Sequence, residues 1–205
     1  PGVDLPNVYT LRDLRDADML HELASQQGRV VVVGAGFIGL ELAENLVRRG
    51  VRTTIVELAD QVLPPWDREM TTPIAERITS RGVELLLNDS AKRFQQQGDQ
   101  VCIELGSGRT LQADHVVLCV GVRPENSLAR DANLEIGPRG GIRVNQHMQT
   151  SDPDIYAVGD AVETRDALTG APAQVPLAGP ANRQGRVAAD HIFGRPSVFR
   201  GIQGT

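Results

Sequence analysis

Apolar positions Leu14, Ala17, Leu20 and Ala24 recur every three or four residues, the spacing that lines one face of a helix, and Thr10 with Asp13 ahead of them reads as a capping pair. A short amphipathic helix is therefore expected between Leu11 and Ala24. The period then changes. Residues 29–33, RVVVV, are a β-branched run too short for a helix, and a glycine-rich turn follows at once. Helical spacing returns with Ile38, Leu42 and Leu46, a ridge beside the small residues Gly39 and Ala43, and Gly50 after Arg48 and Arg49 is a suitable terminator. RTTIVE, residues 52–57, is a second strand. Met70, Ile74 and Ile78 mark a further helix with two possible starts. Asp67 as cap leaves Pro73 in the interior, where it removes a hydrogen bond, whereas Thr72 as cap places Pro73 at the first helical position.

After Gly82 the pattern is β: VELLL, then RFQQQ and QVCIEL joined at Gly98-Asp99, then TLQAD and the continuous apolar HVVLCVG. Strand, helix, strand, helix, strand, meander and a final buried strand predict an α/β fold. It would be a Rossmann-like βαβ dinucleotide-binding domain with a parallel sheet and a β-meander. Residues 141–150 lead into SDPD, a turn cluster expected to end the first domain. Beyond it the sequence predicts a strand IYAV, a hairpin turning near LTGAP and a helix from Pro180 to Phe193, too little to bury a core alone.

Composition removes several classes of function. The 205 residues carry a net charge of -5, a pI near 5.4 and few aromatics (one Trp, two Tyr, four Phe), so there is neither a basic stripe nor a stacking platform for nucleic acid. The longest apolar run is broken by glycines and far too short to span a membrane, no secretory signal is read ahead of it, and a cytoplasmic location is expected. Cys102 and Cys119 lie in strand-like segments and form no C-x-x-C pair. His21, His115, His147 and His191 are scattered without metal-ligand spacing, and Trp66 and Met70 are expected to pack.

The chemistry concentrates in GAGFIG. Gly34 allows a tight turn, Gly36 lets the backbone approach a pyrophosphate, and Gly39 permits close packing of helix on sheet, with the phosphates at the positive helix N-terminus. Glu57 ends the second strand about 20 residues after the first glycine, where an acid meets the adenine ribose. A carboxylate there accepts hydrogen bonds from both ribose hydroxyls and repels a 2'-phosphate, which favours NADH over NADPH. The nearest arginine in sequence, Arg52, starts that strand rather than ending it, and ELAD supplies no cation.

VVVGAGFIGLELAENL, VLPPWDREM, LCVGVRPEN and TSDPDIYAVGDAV, in that order, resemble the flavin-dependent pyridine nucleotide-disulfide oxidoreductases. VPLAGPANRQGR is most similar to their coenzyme A-disulfide reductase, NADH oxidase and persulfide reductase branch. The resemblance covers nearly the whole chain and implies an FAD domain split in sequence, an NADH domain inserted in it and a C-terminal dimerisation domain, the intact enzyme being a homodimer. Residues 1–27 would be a linker helix from the FAD domain, 28–147 the NAD(H)-binding domain, and 148–205 the C-terminal part of the split FAD domain, an incomplete remnant. The first glycine fingerprint, the redox cysteine and the dimerisation domain of such an enzyme are expected to lie outside these 205 residues.

By the same resemblance, Gly34, Gly36, Phe37, Ile38 and Gly39 would line the NADH pyrophosphate, with Phe37 similar to an aromatic gate over the flavin ring. Glu41 stands where the family has a glutamate near the nicotinamide, and Val120 with Gly121 where backbone passes the cofactor. Asp160 resembles the aspartate that hydrogen-bonds the ribityl chain of FAD, and Leu177 and Ala178 resemble residues beside the isoalloxazine. The implied enzyme passes hydride from NADH to FAD and electrons onward to a disulfide, a persulfide or coenzyme A disulfide. The fragment alone is expected to be inactive, with no catalytic residue and no metal site in this chain. A non-catalytic NAD(H)-binding module and a ferredoxin or rubredoxin reductase type of flavoprotein are the alternatives.

Overall fold

The computed structural model describes residues 1–202, in two compact units that divide after Gly121. In the first unit the elements run β1 (Val8–Thr10), α1 (Leu14–Ala24), β2 (Arg29–Val33), α2 (Phe37–Arg48), β3 (Arg52–Val56) and α3 (Arg68–Ser80). They continue as β4 (Glu84–Leu86), β5 (Ala91–Gln97), β6 (Gln100–Leu105), β7 (Thr110–Ala113) and β8 (His115–Leu118). Five strands form a parallel sheet in the order β1-β8-β2-β3-β4, and β5-β6-β7 form a separate antiparallel sheet.

Successive strand residues point to opposite faces, and the valines of β2 show what each face meets. Val30 and Val32 join Leu20, Leu42, Leu46 and Ile55 in a core that also takes Ile74 and Ile78 of α3. Val31 and Val33 join Phe94, Val101, Ile103 and Leu105 of the meander. The parallel sheet is thus a middle layer between helices and meander, which is why RVVVV is apolar throughout rather than alternating.

The sequence missed β1, whose three residues pair in parallel with Val116, Val117 and Leu118. Thr10 ends this strand, so the capping residue is Asp13, which accepts from the N–H groups of Arg15 (2.9 Å) and Asp16 (3.1 Å), and α1 starts at Leu14. α3 starts after Asp67 and holds Pro73 inside it, so Thr72 is not its cap. The Thr72 hydroxyl instead donates back to the Arg68 carbonyl at 2.8 Å.

In the second unit the elements are α4 (Ser127–Asp131), β9 (Ile142–Arg143), a single 3-10 turn Gly159–Ala161, β10 (Val162–Arg165), β11 (Pro172–Ala173) and α5 (Ala178–Ile192). β10 pairs antiparallel with β11 across the expected turn and parallel with β9. IYAV is not a strand: among the described residues only Tyr156 makes a bridge, to Gln149, and the strand lies beyond it at β10. α5 starts two residues before Pro180, which occupies a first-turn position where no N–H is needed. The SDPD cluster lies inside this second unit, and residues 1–27 pack within the first.

Candidate dinucleotide site

β2 gives way to α2 through a turn that only glycine fits at two points. Gly34 has φ +108°, and a Cβ there would lie 2.3 Å from the Cys119 carbonyl oxygen. A Cβ on Gly39 would lie 2.0 Å from the Gly34 carbonyl oxygen. Gly36 differs from both, because a Cβ on it would meet nothing within 4 Å: the space beside this backbone is open. Gly36 caps α2 without a side-chain hydrogen bond, and the helical ladder begins with Leu40 N–H to the Gly36 carbonyl. The N–H groups of Phe37, Ile38 and Gly39 therefore have no partner within the helix and point out of its positive end, the arrangement that takes a phosphate or other anion.

The wall beside this turn is built by residues 57–67. Glu57 is fixed by two backbone donors, Ala35 N–H at 2.6 Å on one carboxylate oxygen and Ala59 N–H at 2.8 Å on the other. Each oxygen keeps a lone pair that can accept from a ribose hydroxyl. Leu63 N–H donates to the Ala35 carbonyl at 2.9 Å, so the loop grips the glycine turn on both sides of one residue, Ala35. Val62 and Leu63 are buried beneath it. Trp66, whose carbonyl accepts from the Gln61 amide at 2.6 Å, meets the Phe37 ring edge-on with centroids 6.2 Å apart.

The expected residues of the first unit are brought together unevenly. Gly34, Gly36, Glu57, Val120 and Gly121 all lie at the carboxyl ends of β2, β3 and β8, where open α/β sheets bind ligands. Cys119 N–H donates to the Val33 carbonyl at 2.7 Å, holding the two strand ends side by side, and Val120 beyond it is 72% exposed. Phe37 and Ile38 also stand open to solvent on the first turn of α2. Glu41 is exposed on the next turn, further from the glycines. Arg68 was not anticipated. It starts α3 and forms a salt bridge to Asp60, bringing a guanidinium to the loop that follows Glu57. Only a folded loop reveals that contact, since neighbouring residues in sequence supply no cation.

In the second unit Asp160 is exposed on the 3-10 turn, and the preceding Gly159 N–H donates to the buried Gln184 side chain of α5 at 2.7 Å. Leu177 is the N-cap of α5 and Ala178 its first residue, with no side-chain cap, so this helix end also presents unpartnered N–H groups. These groups suit an acceptor-rich ring edge. Burial pushes the Cys119 thiol up to about 11, which keeps it protonated and inert at neutral pH, while Cys102 is partly exposed in β6. His147 and His191, remote in sequence, stack at 4.3 Å, and Tyr156 Oη lies 2.7 Å from His191 Nδ1. Among the described residues no cluster of three metal-ligating side chains occurs, and no helix is long and apolar enough to cross a membrane.

A glycine turn opening a helix N-terminus, an acid fixed beside it and a parallel sheet covered on both faces define a dinucleotide-binding α/β protein. Within that class the chain belongs to the pyridine nucleotide-disulphide oxidoreductase family, whose pattern matches residues 1–185. The family uses FAD and NAD(P)H. An NADH oxidase of Enterococcus faecalis is 35% identical over 100% of this chain and 46% of its own length. The reduced Bacillus anthracis CoADR-RHD is 42% identical with a TM-score of 0.93, over 100% of this chain and 37% of that one. An engineered water-forming NADPH oxidase bound to NADPH, a mutant of the Lactobacillus brevis NADH oxidase, is 28% identical with a TM-score of 0.93, over 100% of this chain and 45% of that one. The chain spans about half the length of the curated relatives it matches.

Proposed function

We propose that this chain is the NADH-binding portion of an FAD-dependent oxidoreductase that reduces a disulfide, a persulfide or coenzyme A disulfide. Residues 28–147 contribute the NADH-binding domain, and residues 148–205 contribute part of a split FAD-binding domain. The observation that carries this reading is the fixed Glu57 carboxylate beside a glycine turn whose one open point, Gly36, adjoins the unpartnered N–H groups of α2.

When bound, NADH supplies a hydride and FAD accepts it. The chain's own residues bind and orient. The first turn of α2 neutralises a pyrophosphate, and Gly34 and Gly39 keep that turn tight enough for backbone rather than side chain to meet it. Glu57 takes the ribose hydroxyls of the adenosine half, and Val120 and Gly121 leave an exposed path at the end of β8. Phe37 and Ile38 offer apolar surface beside that path, and Glu41 lies one turn on. In the second unit Asp160 accepts from the ribityl hydroxyls, and Leu177 with Ala178 aims the positive end of α5 at the ring.

NADH is preferred over NADPH. The intervals between the substituted glycine, aspartate and proline of the engineered NADPH oxidase equal those between Gly39, Glu57 and Pro64. In that enzyme the acid is replaced by alanine, and arginines stand at the positions of Leu58 and Pro64. Here the acid is present, and Leu58 and Pro64 are uncharged.

The test uses the 205-residue chain. Titration is expected to show NADH binding, seen as enhanced nicotinamide fluorescence, with weaker binding of NADPH. With NADH, FAD and coenzyme A disulfide supplied together, no turnover is expected. Failure to bind NADH sinks the site; turnover sinks the claim that the chain alone is inactive.

A further inference from the structure

We propose that the Asp60–Arg68 pair is a second determinant of nucleotide choice, a guanidinium held by a carboxylate so that it does not serve a 2'-phosphate. The inference rests on the reading of Glu57 as the ribose acceptor.

Arg68 is the first residue of α3, where the helix dipole disfavours a cation, and Asp67 before it makes no side-chain cap. What settles the guanidinium there is Asp60, only three residues beyond Glu57. A three-residue span covers at most about 11 Å, and the Glu57–Ala59 hydrogen bond folds this one tighter. Both partners are more than half exposed (59% and 58%), so the bridge adds little to stability. Its consequence is positional, fixing where a positive charge stands and cancelling it. In the engineered NADPH oxidase, arginines occupy the positions of Leu58 and Pro64, which flank Asp60 in this loop. The loop is therefore where a cation is useful to NADPH, and this chain carries one there already neutralised.

Removing Asp60 leaves Arg68 free to swing to a 2'-phosphate, while Glu57 still serves the ribose. The experiment measures NADH and NADPH dissociation constants at low ionic strength for the wild-type chain, Asp60→Asn, and the double variant Asp60→Asn/Arg68→Gln, with circular dichroism to confirm the fold. In Asp60→Asn, NADPH binding should tighten about five-fold and NADH binding change less than about two-fold. In the double variant the NADPH gain should disappear. An unchanged NADPH-to-NADH ratio in Asp60→Asn overturns the inference, as does a gain that survives loss of Arg68, which would reflect only the removal of a negative charge. A wild-type chain that binds neither nucleotide overturns the underlying reading of Glu57 and this inference together.

Discussion

Gly34 and Gly36, two residues apart in one motif, have separable physical roles. Gly34 is held by its positive φ and by the Cys119 carbonyl, so Gly34→Ala should lower stability by more than about 1 kcal/mol, read as a drop in Tm. Gly36 has ordinary extended dihedrals and open space beside it, so Gly36→Val should leave Tm nearly unchanged yet weaken NADH binding by about ten-fold or more, because the branched side chain fills the pyrophosphate path. Titration and melting on both variants separate the two. Glu57→Gln is expected to weaken NADH by about ten-fold and to narrow its advantage over NADPH. At this scale much of the site was legible: a glycine pattern and a distant acid carry their meaning in spacing. Two things were not. The clamp from Glu57 to Ala35 and the bridge from Arg68 to Asp60 depend on how a loop folds back, and residue types alone do not encode a loop's path.

Among the elements, α3 carries an avoidable defect. Pro73 stands five residues after the start of a helix that ends at Ser80, past the first turn, and removes one ladder hydrogen bond. Pro73→Ala should therefore stabilise the chain by about 1–3 kcal/mol, seen as a higher Tm in thermal unfolding. The helix survives proline because Thr71, Ile74 and Ile78 are drawn into packing, a tertiary gain that decides between the two starts the sequence left open, Asp67 and Thr72. The same contest explains which elements the sequence announced. β2 and β3 are β-branched runs bounded by turn signals, α2 keeps a helical period over 12 residues, and the meander breaks at Gly98-Asp99. β1 has three residues and exists because β8 offers an edge. The apolar run at 155–158 has a strand's composition but, among the described residues, forms a single isolated bridge, Tyr156 to Gln149, flanked by hydrogen bonds to Met148 and Thr150, and so short a pairing does not extend into a ladder.

The first unit as a whole should respond to acid in two stages. Burial lowers the His115 pKa from its ordinary 6.5, against the opposing pull of Asp114. A base with a lowered folded pKa contributes stability that is complete above 6.5 and declines as pH falls below it. Asp114 is lowered from 3.8, first by the Arg29 N–H at 2.6 Å and then by the Gln100 amide, and Asp89 is lowered chiefly by the Ser107 hydroxyl. Their contribution holds above 3.8 and is lost as pH falls through their still lower folded values. Tm should thus fall as the pH drops below 6.5, level off once His115 is protonated in the folded chain as well, and fall again below 3.8, and His115→Leu should erase only the first decline.

The strand order of the main sheet bears on how the chain comes to be folded at all. β8 is the last strand of the sheet in sequence, yet it lies between β1 and β2 and pairs with both. During synthesis, a nascent chain that has emerged only as far as the meander has no inner partner for β1 and leaves one edge of β2 bare. The topology has high contact order at its centre, and closure waits on a few late residues. A chain that has emerged only to residue 110 should remain expanded and prone to self-association, and one that has emerged past 118 should fold cooperatively, a difference that limited proteolysis of stalled ribosome complexes would resolve.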